Sequence, residues 1–196
     1  MSARDPYEDP EALRRAYQAK ARAELAAADR LLGGRVPVTG SGDPLGRVLL
    51  IKGAPGPDDT AAGSALAGAD GAAAAKALQA LGLDPASVWR TCSRPGPGDA
   101  AARARRLELA VEAVDPALVL ALDADASQDL SAALGLTPLR AGRPEIVRGR
   151  VLGAVDGLEA SLTSEAAKAR VWRQMKAVAR SLPPHSLAGE TREGRP

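Results

Sequence analysis

The apolar run Val48-Leu49-Leu50-Ile51, cut off by Gly53-Ala54-Pro55-Gly56, most constrains what this chain can fold into. Four consecutive apolar residues show no polar alternation, the pattern of a strand buried on both faces. Helix-compatible sequence begins soon after Gly68. Together these predict a strand that delivers a tight loop to the carboxyl edge of a parallel sheet. In α/β proteins that edge is where ligands bind.

The rest of the chain repeats this alternation. Residues 10–32 read as a long Ala-rich charged helix, with Pro10 at its start, Gly33-Gly34 as its stop, and Leu13, Ala16, Ala23 and Ala27 on its apolar side. Strands are expected over 47–52, 87–91 and 117–122, and a hairpin around Gly149 over 146–155. Helices are expected over 71–81, 99–114, about 127–134 and 164–182. Asp99 caps the second of these, whose stripe is Leu107, Ala110, Val111 and Val114; the last buries Val171, Met175, Val178 and Leu182. Buried strands alternating with amphipathic helices predict a single α/β domain over 10–182, a three-layer α/β/α sandwich around a mainly parallel sheet. A flexible N-terminus over 1–9 and a disordered tail over 183–196 flank it.

At 196 residues the chain is long enough for one substantial core. It has no Phe, and its aromatics are Tyr7, Tyr17, Trp89 and Trp172, so Leu, Val and Ala build the interior. A net charge of +2 does not by itself argue for nucleic acid. Cys92 is the single cysteine, which excludes an intrachain disulfide and a thiolate-held zinc or iron–sulfur centre; no cofactor is expected. His185, the only histidine, follows Pro183-Pro184, and no His lies near Cys92 in sequence to activate it. Neither a secretory leader nor an apolar run of ~20 residues is present, so the expectation is a cytoplasmic protein that does not enter membranes.

Several residues carry more than one reading. The Gly53-Ala54-Pro55-Gly56 loop either cradles a phosphate or sugar through its N–H groups or is only a turn. Lys52 either reaches a phosphate or is a solvated lysine at the sheet edge. Arg173, Lys176 and Arg180 share one face of the last helix, and Arg103, Arg105 and Arg106 cluster on another; either set contacts nucleic-acid backbone or is a solvated face.

The order and spacing of several phrases resemble the iron–sulfur type of uracil-DNA glycosylase over about 40–179. They are Gly42-Asp43-Pro44, the apolar strand, Gly53-Ala54-Pro55-Gly56, Gly63-Ser64-Ala65-Leu66, and Leu81-Gly82-Leu83-Asp84. Val88-Trp89-Arg90-Thr91, Arg94-Pro95, Asp115-Pro116 and Val171-Trp172-Arg173 continue the match. The resemblance implies a uracil-DNA-glycosylase-like fold and a pocket at Gly53, Ala54, Pro55, Gly56, Gly63, Leu66, Cys92 and Asp156. It adds Arg94 to Lys52, Arg173, Lys176 and Arg180 as candidate nucleic-acid contacts.

Departures from the family pattern fall on the chemistry. Gly53 stands where the family has a water-positioning acid, Leu66 where it stacks a Phe on the base, and Cys92 at or near the base-reading Asn. Asp156-Gly157-Leu158 loosely matches the His-Pro-Ser loop, and the cluster cysteines are missing. The resemblance therefore implies a catalytically degenerate domain, a pseudoenzyme that binds DNA, a repair protein or its own copy. The alternative is an active glycosylase that positions water with Asp58 or Asp59. A third reading is a small-ligand module using the glycine loop, with no DNA involved.

Overall fold

The computed structural model describes residues 9–183. Of the expected flexible N-terminus only Asp9 lies among them, and it is ordered as a helix cap. The expected tail, with His185, lies outside the described residues beyond Pro183. Thirteen elements follow in order: α1 (Pro10–Arg30), β1 (Ser41–Gly42), β2 (Val48–Lys52), α2 (Pro57–Ala62), α3 (Ala69–Ala80), β3 (Val88–Cys92) and α4 (Ala100–Val114). β4 (Leu118–Ala121), α5 (Ala124–Leu134), β5 (Glu145–Val147), β6 (Arg150–Ala154), α6 (Leu158–Ser161) and α7 (Glu165–Ala179) complete the chain.

The six strands form one sheet in the order β1-β3-β2-β4-β6-β5. Strands β3, β2, β4 and β6 run parallel, whereas β1 pairs antiparallel with β3 and β5 antiparallel with β6. The sheet is therefore mixed rather than mainly parallel. Both edge strands are short and reversed; at one edge the cause is a close connection, since β5 turns into β6 through Arg148 and Gly149, both at positive φ.

Alternation along the strands builds two cores. Val48, Leu50, Val88, Leu118, Leu120 and Val151 point to one face, beneath Leu78 of α3, Leu158 of α6, and Val171, Met175 and Val178 of α7. Leu49, Ile51, Trp89, Val119, Ala121 and Leu152 point to the other, beneath Leu25 of α1, Leu107 and Val111 of α4, and Leu130 of α5. Helices thus cover both faces of the sheet.

The α1 face differs from the expected stripe. Ala21, Leu25 and Ala28 are buried, while Ala16, Ala23 and Ala27 are exposed. One leucine, not the alanines, sets which side of so small-residued a helix faces inward. Asp9 caps it by accepting from the N–H groups of Glu11 and Ala12 at 3.0 and 3.1 Å. Arg106, expected on a solvated or DNA-contacting face, is buried instead. It donates to Asp29 at 2.7 Å and to the Cys92 carbonyl at 2.9 Å, tying α4 to α1 and β3. Among the described residues no helix is long and apolar enough to cross a membrane.

Topology singles out one place on the sheet. The chain leaves β2 for β3 on one side, then crosses back to β4 on the other. The crevice outside the carboxyl ends of β2 and β4 is thus the switch point, where open α/β sheets bind ligands.

Candidate functional site

Lys52, the last residue of β2, ends at this switch point with its side chain only 7% exposed. Its Nζ lies 2.9 Å from Asp59 Oδ2, 2.7 Å from Asp70 Oδ2 and 2.8 Å from Glu159 Oε2. Three helices supply these acids: α2 gives Asp59, the first turn of α3 gives Asp70, and α6 gives Glu159. An ammonium has three donors, so three carboxylates saturate it. Burial alone pulls the Lys52 pKa down, but the hydrogen bonds to Asp70, Glu159 and Asp59 outweigh it and hold the group above the ordinary lysine value.

Asp59 is the hub of this lock and is 1% exposed. Its Oδ2 accepts from the Gly56 N–H at 2.8 Å as well as from Lys52, and its Oδ1 accepts from the Ala67 N–H at 2.8 Å. Burial pushes its carboxyl up, yet the two N–H donors and Lys52 bring it below the ordinary aspartate value. It is consequently no free base. Asp58, the other candidate acid, is exposed and has its carboxylate against Gly68.

The glycine loop is locked from both ends. The Gly53 N–H donates to Asp123 Oδ2 at 2.8 Å, and Asp123 Oδ1 accepts from the Ala126 N–H at 2.8 Å as the N-cap of α5. Pro55 has no N–H. Two of the three N–H groups the loop owns, those of Gly53 and Gly56, are therefore spent on carboxylates. Gly53 also has no room for a side chain: a β-carbon there would fall 2.7 Å from Asp125 Cβ and 2.8 Å from Asp123 Oδ1.

A cleft of about 380 Å³ opens beside this lock, lined by Lys52, Asp70, Leu122, Asp123, Leu158 and Glu159, with Gly157 and Ala160 at its margin. The residues implied by resemblance are placed otherwise. Gly63 closes α2 at φ 67, and Ala54 is exposed on the loop. Leu66, at φ 56, buries its side chain in the core beneath α3 and α7. Cys92 pairs opposite Lys52 in the sheet but is 1% exposed, packed with Val38 and Ala65; burial pushes its thiol up to about 12. Asp156 faces a separate groove with Ser127 and Leu139, accepts from Gln174 Nε2 at 2.6 Å and pairs with Arg170 at 3.3 Å. Ala54, Leu66, Cys92 and Asp156 do not line the cleft.

The basic candidates separate in the same way. Lys52 is buried and saturated, which removes it as a backbone contact. Arg94 forks onto Asp129 at 2.8 and 3.0 Å and reaches Asp125 at 3.0 Å; the Asp129 hydrogen bond chiefly holds it above its ordinary pKa. Lys176 sits 5.3 Å from the centroid of the Trp172 ring. Arg173 and Arg180 are exposed.

Two cations, Lys52 and Arg94, thus meet five carboxylates, Asp59, Asp70, Glu159, Asp125 and Asp129, while Asp123 is held by backbone N–H groups alone. Among the described residues no His, Cys, Asp and Glu group has the arrangement of a metal site. Sequence reasoning missed Asp70, Asp123 and Glu159. Only Asp123 left a signal, an aspartate directly after a buried strand and before a helix. Compared with known proteins, the sequence matches no family model and no curated protein.

Proposed function

We propose that this chain is a uracil-DNA-glycosylase-like domain without glycosylase activity, acting as a binding module through the cleft between the ends of β2 and β4. The observation that supports the absence of activity is the saturation of the rim: Lys52, the Gly53 N–H and the Gly56 N–H each already face a carboxylate. Cleaving an N-glycosidic bond needs a positioned water and donors for the charge that grows on the departing base. Loss of one such donor costs on the order of 10²–10³ in rate. A cleft lined by Asp70, Asp123 and Glu159, with Lys52 already paired, offers the departing base repulsion instead.

Incubation with uracil-containing single- and double-stranded DNA is expected to leave every glycosidic bond intact. Cleavage that persists through purification and disappears in Asp58→Ala, with the circular dichroism spectrum unchanged, would establish the active-glycosylase alternative.

A second reading, DNA binding in repair or related nucleic-acid metabolism, draws on a different face. The 140–143 turn packs on α7, with Gly142 against Gln174, and brings exposed Arg140 and Arg143 to the helix that carries Arg173. DNA held there should weaken steeply with salt. An affinity unchanged by Arg140→Ala, Arg143→Ala and Arg173→Ala together removes this reading.

A further inference from the structure

We infer that the cleft takes a small organic amine, an ammonium or amidinium carried on a compact apolar body. This inference rests on the reading of the cleft as a binding site and adds the class of its occupant. Leu122 and Leu158 furnish an apolar wall, while Asp70, Asp123 and Glu159 bring carboxylates to the same space. The charges there do not balance. One ammonium, Lys52, is shared among Asp59, Asp70 and Glu159, which leaves two negative charges in excess, and Asp123 adds a third.

Lys52 offers an anion no free charge, because its ammonium already donates to Asp59 and Asp70 and is ion-paired with Glu159. A phosphate or a nucleic-acid strand would add like charge. A cation meets unused acceptor capacity, since a carboxylate offers about four lone-pair sites and each Asp123 oxygen takes one N–H. Glu159 is 57% exposed and reaches Lys52 through Oε2 alone, so its charge also faces solvent at the cleft. A volume near 380 Å³ suits a ligand of small-molecule size.

The test is a titration of the full chain, followed by amide NMR at constant ionic strength and neutral pH, with three probes of one shape. They are 3-methylbutan-1-amine, 3-methylbutan-1-ol and 3-methylbutanoate. The amine is expected to shift the Gly157, Leu158 and Ala160 amides and to saturate at about one-tenth the concentration the alcohol needs. The carboxylate is expected to leave those amides unmoved. Glu159→Gln should weaken the amine severalfold and leave the alcohol unchanged. Ala160→Phe, which fills the margin of the cleft without changing charge, should abolish both.

Equal binding of amine and alcohol, or tighter binding of the carboxylate, overturns the amine assignment and leaves the cleft as a binding site. Silence from all three probes overturns both. Amine binding that neither variant weakens places the amine elsewhere and overturns the assignment as well.

Discussion

At position 53 the backbone, the neighbouring acids and the chemistry all bear on a single residue. Gly53 donates its N–H to Asp123 and lies where any β-carbon would meet Asp125 and Asp123. A side chain, acidic or otherwise, therefore has no space at this position, and Asp123 brings a carboxylate there from just beyond the end of β4. That carboxylate is committed to two N–H groups, so it acts as structure. Gly53→Ala is expected to force the loop or the start of α5 to shift, at a cost of about 1–3 kcal/mol in overpacking. Urea unfolding followed by circular dichroism measures it. A stability equal to the parent's would show that the 53–56 loop yields freely and is not clamped as described. Cys92, one strand away, is a packing residue by the same logic: buried, with its thiol pushed up to about 12, it holds almost no thiolate at neutral pH.

Among the elements, α1 and α4 show how a charged side chain can act as structure. Arg106 on α4 reaches Asp29 on α1 and the Cys92 carbonyl and Thr91 hydroxyl on β3. Hydrogen bonds involving a charged group are worth ~1.5–3 kcal/mol each when lost with burial. Arg106→Ala also breaks a buried ion pair and should cost about 3–5 kcal/mol, raising amide exchange in α1 more than in α7, with Arg106→Lys recovering only part because one ammonium cannot span the fork. Uniform exchange in both helices would show that Arg106 does not dock α1. From sequence the same residue read as one of three clustered surface arginines, since nothing local marks an arginine whose partner lies 77 positions away. Elements with a strong period or a full apolar run were legible: β2, β4, α4 with its Asp99 cap, and the β5–β6 hairpin all lie where the pattern puts them. Shorter pieces were not. α2 and α6 are six and four residues long, too brief to show a period, yet they bring Asp59 and Glu159 to Lys52. Thus the sheet edge beside which the cleft opens was readable from the strand and its loop, whereas the residues that line the cleft, and their contacts between distant turns, were not.

Over the whole molecule, one sheet carries two apolar cores, and its one buried lysine lies at the switch point, clamped by acids from three helices. That clamp couples the fold to pH. Asp59 is held below the ordinary aspartate value of 3.8, so its contribution is present above that pH and is lost as pH falls through its lower folded value. Lys52 is held above the ordinary lysine value of 10.5, so its contribution is complete below that pH and is lost as pH rises toward its higher folded value. Unfolding free energy should therefore be level across neutrality, falling below about pH 4 and above about pH 10.5 on these two accounts. Lys52→Met tests the clamp because it leaves Asp59 and Asp70 buried without their cation. Breaking a buried ion pair in this way costs roughly 3–5 kcal/mol at neutral pH. Without Lys52 the buried Asp59 carboxylate is easier to protonate than in the parent, so part of the penalty is relieved as pH falls. The variant should gain stability on acidification from pH 7 toward 5, where the parent stays level, and should lack the parent's alkaline loss. Denaturant midpoints measured across that range decide the matter. Parallel profiles for the two proteins would mean that Lys52 and its acids carry no net coupling, and the saturated rim that supports the absence of activity would lose its energetic basis.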